Sequence, residues 1–313
     1  MITHESISKN ISHNSTIIVG FSGGPDSVCL LLFLNNLKQS HNLTLIAAHL
    51  DHEWRPESAQ DAVWCMQFCE RLNIQFISKK SSELDFIAKS NGSKEEVGRN
   101  LRRHFFDQCV QAFQATHIAL AHHQDDQIET FFIRLARGSS VAGLGSMRIH
   151  DGLYVRPLLQ IKKQEILDYL ACNNVPFLID YTNNDLCFLR NRIRKNLTPI
   201  LDSIDTRMQS NIISCIDHMQ HTDDFLKQIT QQTLDSLKTS HGIDCQKFLN
   251  LHAVLQHRIL LNLLIEHKIA CTPSTALFHE IIRFLRPGKH NQHQINPSLT
   301  IVKHKNYFSF KPL

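Results

Sequence analysis

The apolar positions of this chain fall into short continuous runs separated by longer periodic stretches. Ile17, Ile18 and Val19 form a run of the kind a buried strand gives, and VCLLLFL at 28–34 is the apolar start of a helix. LTLIAAHL at 43–50 reads as a second strand, followed by a helix over about 57–72 and a third strand, IQFIS, at 74–78. Ser93 and Glu96 make a capping box that opens a long helix reaching about Phe113. HIALAHH at 117–123 predicts a fourth strand that feeds another helix. This alternation predicts an α/β fold, a parallel sheet with helices on both faces. Ligands bind such sheets outside the carboxyl ends of the strands. Three polar clusters fall on that rim: SGGPDS at 22–27, HLDH at 49–52, and His122 with His123.

Beyond Leu201 the texture changes to long, polar-rich helical stretches at 217–238 and 248–266. The tail SLTIVKHKNYFSF at 298–310 reads as two short strands turning at Lys305 and Asn306, a hairpin on a small α+β module. We therefore divide the chain into residues 1–201, an α/β domain, and 202–313, a helical linker with a small basic domain. Its 313 residues suffice for two cores, and 42% hydrophobic with 20% charged content is that of a soluble globular protein. The longest apolar run, seven residues at 28–34, is too short to span a bilayer, and residues 1–15 lack a signal-peptide core, so a cytoplasmic protein without a membrane partner is expected. Nine scattered cysteines, an odd number, suit reduced and mostly buried thiols. A net charge of +4 decides little, but residues 283–313 hold six Lys/Arg, three His and no acid. Arg99, Arg102, Arg103 and His104 form a second basic cluster, and Arg190, Arg192, Arg194 and Lys195 a third. A polyanionic partner accounts for all three, and a merely solvated face is the alternative for each.

Chemistry concentrates at the strand ends. In SGGPDS, Gly23 and Gly24 allow a sharp bend, Ser22 and Ser27 offer hydroxyls, and the following helix start presents free N–H groups to an anion. The Gly-Lys-Ser/Thr ending of a Walker A loop is absent. Asp125 and Glu129 are four residues apart and share a helix face, with Asp126 beside them. Such a face can bind a metal, take a proton from an ammonium, or simply stabilise a helix N-terminus. Adjacent residues of a strand point to opposite faces, so at most one of His122 and His123 is expected to face the site. Cys65 and Cys69, one helical turn apart without a second pair, suit core packing better than zinc. Arg190 and Arg194 are also four apart and can present one basic face, while Arg134 and Arg137 either pair with the acids or meet RNA.

These stretches bring a family into view. SGGPDS resembles the SGGxDS pyrophosphate loop of the N-type ATP pyrophosphatases, or PP-loop enzymes, and matches all five fixed positions. HLDHEWRPES at 49–58 is similar to the HxxHxLRPES segment of tRNA(Ile)-lysidine synthetases, with Glu53 and Trp54 departing from the commoner Gly-Leu. GRNLRRHFF at 98–106 resembles their ARxxRYxFF helix, with Gly98 and Arg103 replacing Ala and Tyr. The stretch at 121–147 resembles AHHxDDQxETxLxRLxRGSGxxGLxGM, with Ser140 and Ser146 standing where the family has Gly. That at 177–201 resembles DPTNxDxxYxRNxIRxxLLP, with Tyr181 for Pro and Phe188 for Tyr.

The resemblance implies a Rossmann-like PP-loop ATPase fold and ligation of free L-lysine to the wobble cytidine of tRNA(Ile) with a CAU anticodon, using ATP and Mg²⁺. It implies ATP binding by Ser22, Gly23, Gly24, Pro25, Asp26, Ser27, Ala47 and His49, with Asp26 on the magnesium side. Asp26, Asp125, Asp126 and Glu129 become the expected catalytic residues, Arg99, Arg102, Arg190 and Arg194 the expected contacts to phosphate or RNA. A tRNA thiolase of the same superfamily is one alternative, although the cytidine-thiolating type carries CxxC pairs and none occurs here. A non-catalytic nucleotide-binding protein is another, and a homodimer is left open.

Overall fold

The computed structural model describes residues 7–86, 94–179, 189–267, 274–288 and 290–312. The chain forms two compact units, residues 1–219 and 220–313.

In the first unit six strands order as β3-β2-β1-β4-β6-β5. They are β1 (Thr16–Gly20), β2 (Thr44–Asp51), β3 (Gln75–Lys80), β4 (His117–Ala119), β5 (His150–Asp151) and β6 (Tyr154–Val155). All run parallel except β5, which pairs antiparallel with β6 at the edge. Strand alternation divides the apolar side chains cleanly. Ile17 and Val19 of β1, with Leu45 and Ala47 of β2, join one core with helices α1 (Pro25–Leu37) and α2 (Ser58–Arg71). Ile18, Ile46 and Ala48 face the other way, onto Leu101, Phe105 and Phe106 of α3 (Lys94–Phe113). Helices therefore cover both faces, as the alternation of strands and helices predicts. The capping box at Ser93 lies outside the described residues.

The fourth strand is shorter than its apolar run suggests. β4 ends at Ala119, the Leu120 N–H still donates to Val155 O at 2.9 Å, and residues 121–123 leave the sheet to enter α4 (Gln124–Ala136). A short helix α5 (Val141–Leu144) leads to β5, and α6 (Lys163–Cys172) follows β6. After the undescribed stretch 180–188, α7 (Leu189–Arg192) runs through a π-helical turn (Ile193–Leu197) into α8 (Thr198–Ile204).

Helix α9 (Met208–Leu237) is a single 30-residue helix that spans the division between the units. In the second unit β7 (Lys238–Thr239), β8 (Gly242–Asp244), β9 (Gln292–Asn296), β10 (Leu299–Lys303) and β11 (Tyr307–Pro312) order as β7-β8-β11-β10-β9. The hairpin expected at 298–310 is the antiparallel pair β10–β11, within a five-stranded sheet. Its core joins Leu299, Ile301 and Phe308 to Leu260 of α11 (Ala253–Glu266) and Ile281 of α12 (Thr275–Leu285), α10 (Cys245–Leu249) contributing Phe248.

Candidate active site

The sheet order reverses between β1 and β4, and a parallel sheet opens a crevice at such a point. The bend after β1 lies there. Gly23 has φ +76°, and a Cβ on it would stand 2.6 Å from Leu178 Cδ1 and 3.0 Å from Cys65 Sγ. Glycine is thus required twice, for backbone angle and for space. The bend is tied down by the Leu178 N–H, which donates to the Gly23 carbonyl at 2.9 Å. Ser27 Oγ donates to Gly24 O at 3.0 Å and accepts from the Ser22 N–H at 3.2 Å. With that hydroxyl proton committed, Ser22 Oγ is the donor in its 3.2 Å contact with Ser27 Oγ. No side chain caps α1, whose first residue is Pro25, so its positive end faces the crevice. His49, at the carboxyl end of β2, donates from Nδ1 to Phe21 O at 2.9 Å and is buried. Burial lowers its pKa against the hydrogen bond, leaving a neutral ring with Nε2 as acceptor.

Opposite the bend stands the start of α4. His123 is buried among three carboxylates: its Nε2 lies 3.7 Å from Asp26 and 3.5 Å from Asp126, and its Nδ1 lies 3.8 Å from Asp125. Asp126 accepts the His123 N–H at 2.9 Å, closing the helix start. Burial raises the Asp126 carboxyl, but Arg190, His123 and His122 together pull it well below the usual carboxylate range. Glu129 is deeper still and accepts from Arg190 Nε at 2.6 Å and from Arg194 Nε at 2.6 Å. Arg190 lies on α7 and Arg194 on the π-helical turn that follows it.

The PP-loop domain model (ATP_bind_3) matches residues 2–201. The chain belongs to the PP-loop family. Among curated relatives, the tRNA(Ile)-lysidine synthase of Clostridium acetobutylicum is 39% identical over 199 residues, 62% of this chain and 43% of that one. That of Bacillus cereus is 30% identical over 289 residues, 88% of this chain and 61% of that one. The chain thus spans about half the length of these relatives. Among solved structures, the U34-tRNA thiolase NcsA from Methanococcus maripaludis matches with a TM-score of 0.56 at 19% identity, covering 70% of this chain and 78% of that one. That likeness is one of fold.

Within this PP-loop site the sequence-derived residues do not all stand alike. Ser22, Gly23, Gly24, Pro25, Asp26 and Ser27 form the bend, Asp125 and Asp126 meet it through His123, and Glu129 lies behind them on Arg190 and Arg194. Ala47 is buried in the β2 ladder between Val19 and Phe76, two residues before His49. Arg190 and Arg194, expected to meet phosphate or RNA, hold Glu129 and Asp126 while staying partly exposed. Arg99 and Arg102 are exposed on α3. Arg134 pairs with no acid among the described residues; it donates to the Gly143 and Ser146 carbonyls at 2.8 and 2.9 Å and pins that loop. At most one of His122 and His123 is expected to face the site, and His123 is the one that lies among the carboxylates; His122 is half-buried, its Nδ1 without a hydrogen-bond partner. Burial, reinforced by Arg190, Arg156 and Arg99, pushes His122 down to about 3, so it is neutral near pH 7. Tyr181 and Phe188 lie outside the described residues.

One residue was missed by sequence reasoning. Lys163 Nζ lies 2.5 Å from Asp26 Oδ1, and its backbone N–H donates to Asp125 Oδ1 at 3.1 Å, so it bridges both sides of the site. A signal existed. Lys162 and Lys163 sit at the positive end of α6, where the dipole disfavours cations, and broken local rules mark functional positions. Cysteine chemistry finds little support here. Burial pushes Cys29 and Cys69 up to about 12 and Cys109 to about 11, so these thiols stay protonated.

The donor set also bears on magnesium. Among the described residues no group of three or more His, Cys, Asp or Glu forms a metal cage. A partly exposed carboxylate, Asp26, at the glycine bend would fit an ion carried in on nucleotide phosphates, the usual way Mg²⁺ is held. No helix among the described residues is long and apolar enough to cross a membrane.

Proposed function

We propose that this chain ligates free L-lysine to C2 of the wobble cytidine of tRNA(Ile) with a CAU anticodon, consuming ATP and releasing AMP and pyrophosphate. The observation that carries this reading is the meeting of the bend's Asp26 with Asp125 and Asp126 around His123, at 3.5–3.8 Å. A triphosphate held by the bend and an ammonium held by the carboxylates would share one site. The names of the curated relatives support the choice of tRNA and lysine.

In the first step the cytidine O2 attacks the α-phosphorus, the bond to the β-phosphate breaks, and pyrophosphate leaves. The glycine bend, the α1 N-terminus and the Ser22 and Ser27 hydroxyls would receive that anion. Lys163 lies where its ammonium can move from Asp26 to the leaving phosphates. Asp26 would hold Mg²⁺, which neutralises phosphate charge when bound. Ala47 and His49 would line the adenine side, the neutral Nε2 accepting a hydrogen bond.

In the second step the ε-amine of lysine attacks C2 and AMP departs with the bonding pair. An ammonium with an ordinary pKa of about 10.4 must first lose a proton. The carboxylates can position the cation and take that proton. The pairing of Asp126 and Glu129 with Arg190 and Arg194 suits a zwitterionic ligand: an arriving α-carboxylate finds guanidinium groups, and ammonium groups find carboxylates. The basic second unit, with exposed Lys305 and Lys311, would contact tRNA.

The test is incubation with labelled lysine, ATP and a tRNA(Ile) CAU transcript. Label should enter the RNA with one pyrophosphate released per lysine. Asp26→Ala should abolish both while its unfolding midpoint stays near that of the wild type. Pyrophosphate release that persists in Asp26→Ala, or label that never enters RNA, defeats the reading.

A further inference from the structure

Away from the bend, a second charged cluster occupies the α3 face of the sheet at the same rim. Tyr154 of β6 packs on the face covered by α3, and Arg156 follows directly after the strand. The Arg156 guanidinium lies 6.0 Å from the Tyr154 ring centre, and the Arg103 guanidinium of α3 lies 5.7 Å from it. Arg99, one turn before Arg103, is close enough to depress both Arg156 and Arg134. Two guanidinium groups thus flank one tyrosine, with Arg99 one helical turn from Arg103. Among the described residues the acid facing them is Asp151, 3.7 Å from Arg156 and largely exposed.

Like charges repel in a partly buried place, so this arrangement is costly as it stands. Arg156 is only 5% exposed, and its Nε has no hydrogen-bond partner. The Tyr154 hydroxyl and His122 Nδ1 are buried and unpartnered as well. Three orphaned polar atoms under an excess of positive charge are what an anion site looks like before its ligand arrives. The frame is rigid. Arg156 Nη1 donates to Arg148 O at 2.8 Å, and Arg134 and Gln127 hold the neighbouring carbonyls of the same loop. Arg99 and Arg103 stay exposed above it.

We propose that Arg103, Arg156 and the Tyr154 hydroxyl, with Arg99, form a site for a backbone phosphate of the substrate RNA, next to the reacting nucleotide. This rests on the reading of the chain as an RNA-modifying PP-loop enzyme. The two regions adjoin through the sheet: the Leu120 N–H donates to Val155 O at 2.9 Å, three residues before His123 on one side and one before Arg156 on the other. A strand of RNA with its target base in the crevice would therefore lay an adjoining phosphodiester on the guanidinium cluster. Arg103 stands where the resembling family has Tyr, so the site is partly this chain's own.

The experiment measures the Kd of a tRNA(Ile) CAU transcript over a range of KCl concentrations, with ATP affinity in parallel. For Arg103→Gln we expect about 5–10-fold weaker RNA binding and a salt slope smaller by roughly 0.7–0.9, the loss of one phosphate contact. For Tyr154→Phe we expect a higher Tm, because an unsatisfied hydroxyl is gone, together with weaker RNA binding. A purely structural tyrosine would give the first effect without the second. Unchanged Kd and slope in both variants overturn the site while leaving the proposed function standing. Loss of ATP affinity in place of RNA affinity overturns the assignment to RNA. Wild-type protein that binds no tRNA overturns both.

Discussion

Asp125 and Glu129 share a helix face, yet substituting them should have opposite consequences. The Glu129 side chain is 2% exposed and holds two guanidinium groups, whereas Asp125 is one-third exposed and accepts one backbone N–H. Glu129→Gln leaves Arg190 and Arg194 short of a charge in a confined place. Partial exposure of the arginines tempers the cost, which we set at about 2 kcal/mol. Urea unfolding should show it, together with loss of lysine transfer. Asp125→Asn should stay within about 1 kcal/mol of wild-type stability. Its effect should instead be a raised KM for lysine, exceeding any effect on the KM for ATP. An unchanged lysine KM would remove Asp125 from the amine side of the site. The spacing of these acids was legible in the sequence, but their depth was not. Depth is set by arginines 61 and 65 positions further along the chain.

At the scale of elements, two departures from the family pattern turn out to be one change. A Cβ at position 98 of α3 would stand 2.5 Å from Cη2 of Trp54, in the loop after β2. Trp54 stacks on His52 at 4.5 Å, and Lys94 lies 4.8 Å from its ring centre. Glycine in place of the family's alanine makes room for tryptophan in place of its leucine. Alanine is favoured over glycine in a helix by about 1 kcal/mol, a gain the clash should cancel here. Gly98→Ala should therefore be near neutral or destabilising alone, and stabilising by about 1 kcal/mol in a Trp54→Leu background. A double-mutant cycle by urea unfolding measures the coupling, and simple additivity would refute it. Elements themselves were largely readable from apolar periodicity, and the order of strands and helices followed. Where the reading overran, the strand pattern was carried to His123, although the last sheet hydrogen bond is that of the Leu120 N–H to Val155 O, and periodicity does not register hydrogen bonding. Lys163, Tyr154 and Arg156 lie outside the strongly patterned stretches, and only the sheet order brings them to the rim.

For the molecule as a whole, the texture change at Leu201 and the edge of the first compact unit fall at different places. Residues 202–219 belong to the first unit, and Ile212 and Ile216 of α9 pack with Ile128 of α4. Met208, Ile213 and Leu201 join the same cluster with Phe131 and Phe132. Since α4 carries Asp125, Asp126 and Glu129, this apolar patch supports the acidic half of the site from behind. A chain ending at 201 uncovers Ile128 and both phenylalanines. At about 1.5–3 kcal/mol for each large side chain returned to water, much of the unit's stability is at stake. Residues 283–313 raise the same difficulty in the second unit: they hold its basic side chains but also Leu285, Leu299, Ile301 and Phe308 of its core. Removing them would confound RNA contact with unfolding. We expect residues 1–219 to melt cooperatively and to bind ATP with near wild-type affinity, and residues 1–201 to melt at least 10 °C lower or not cooperatively. Calorimetry and nucleotide titration of the two fragments decide it. Equal melting of both would mean that the Ile212–Ile216 turn of α9 lends the acidic helix no support.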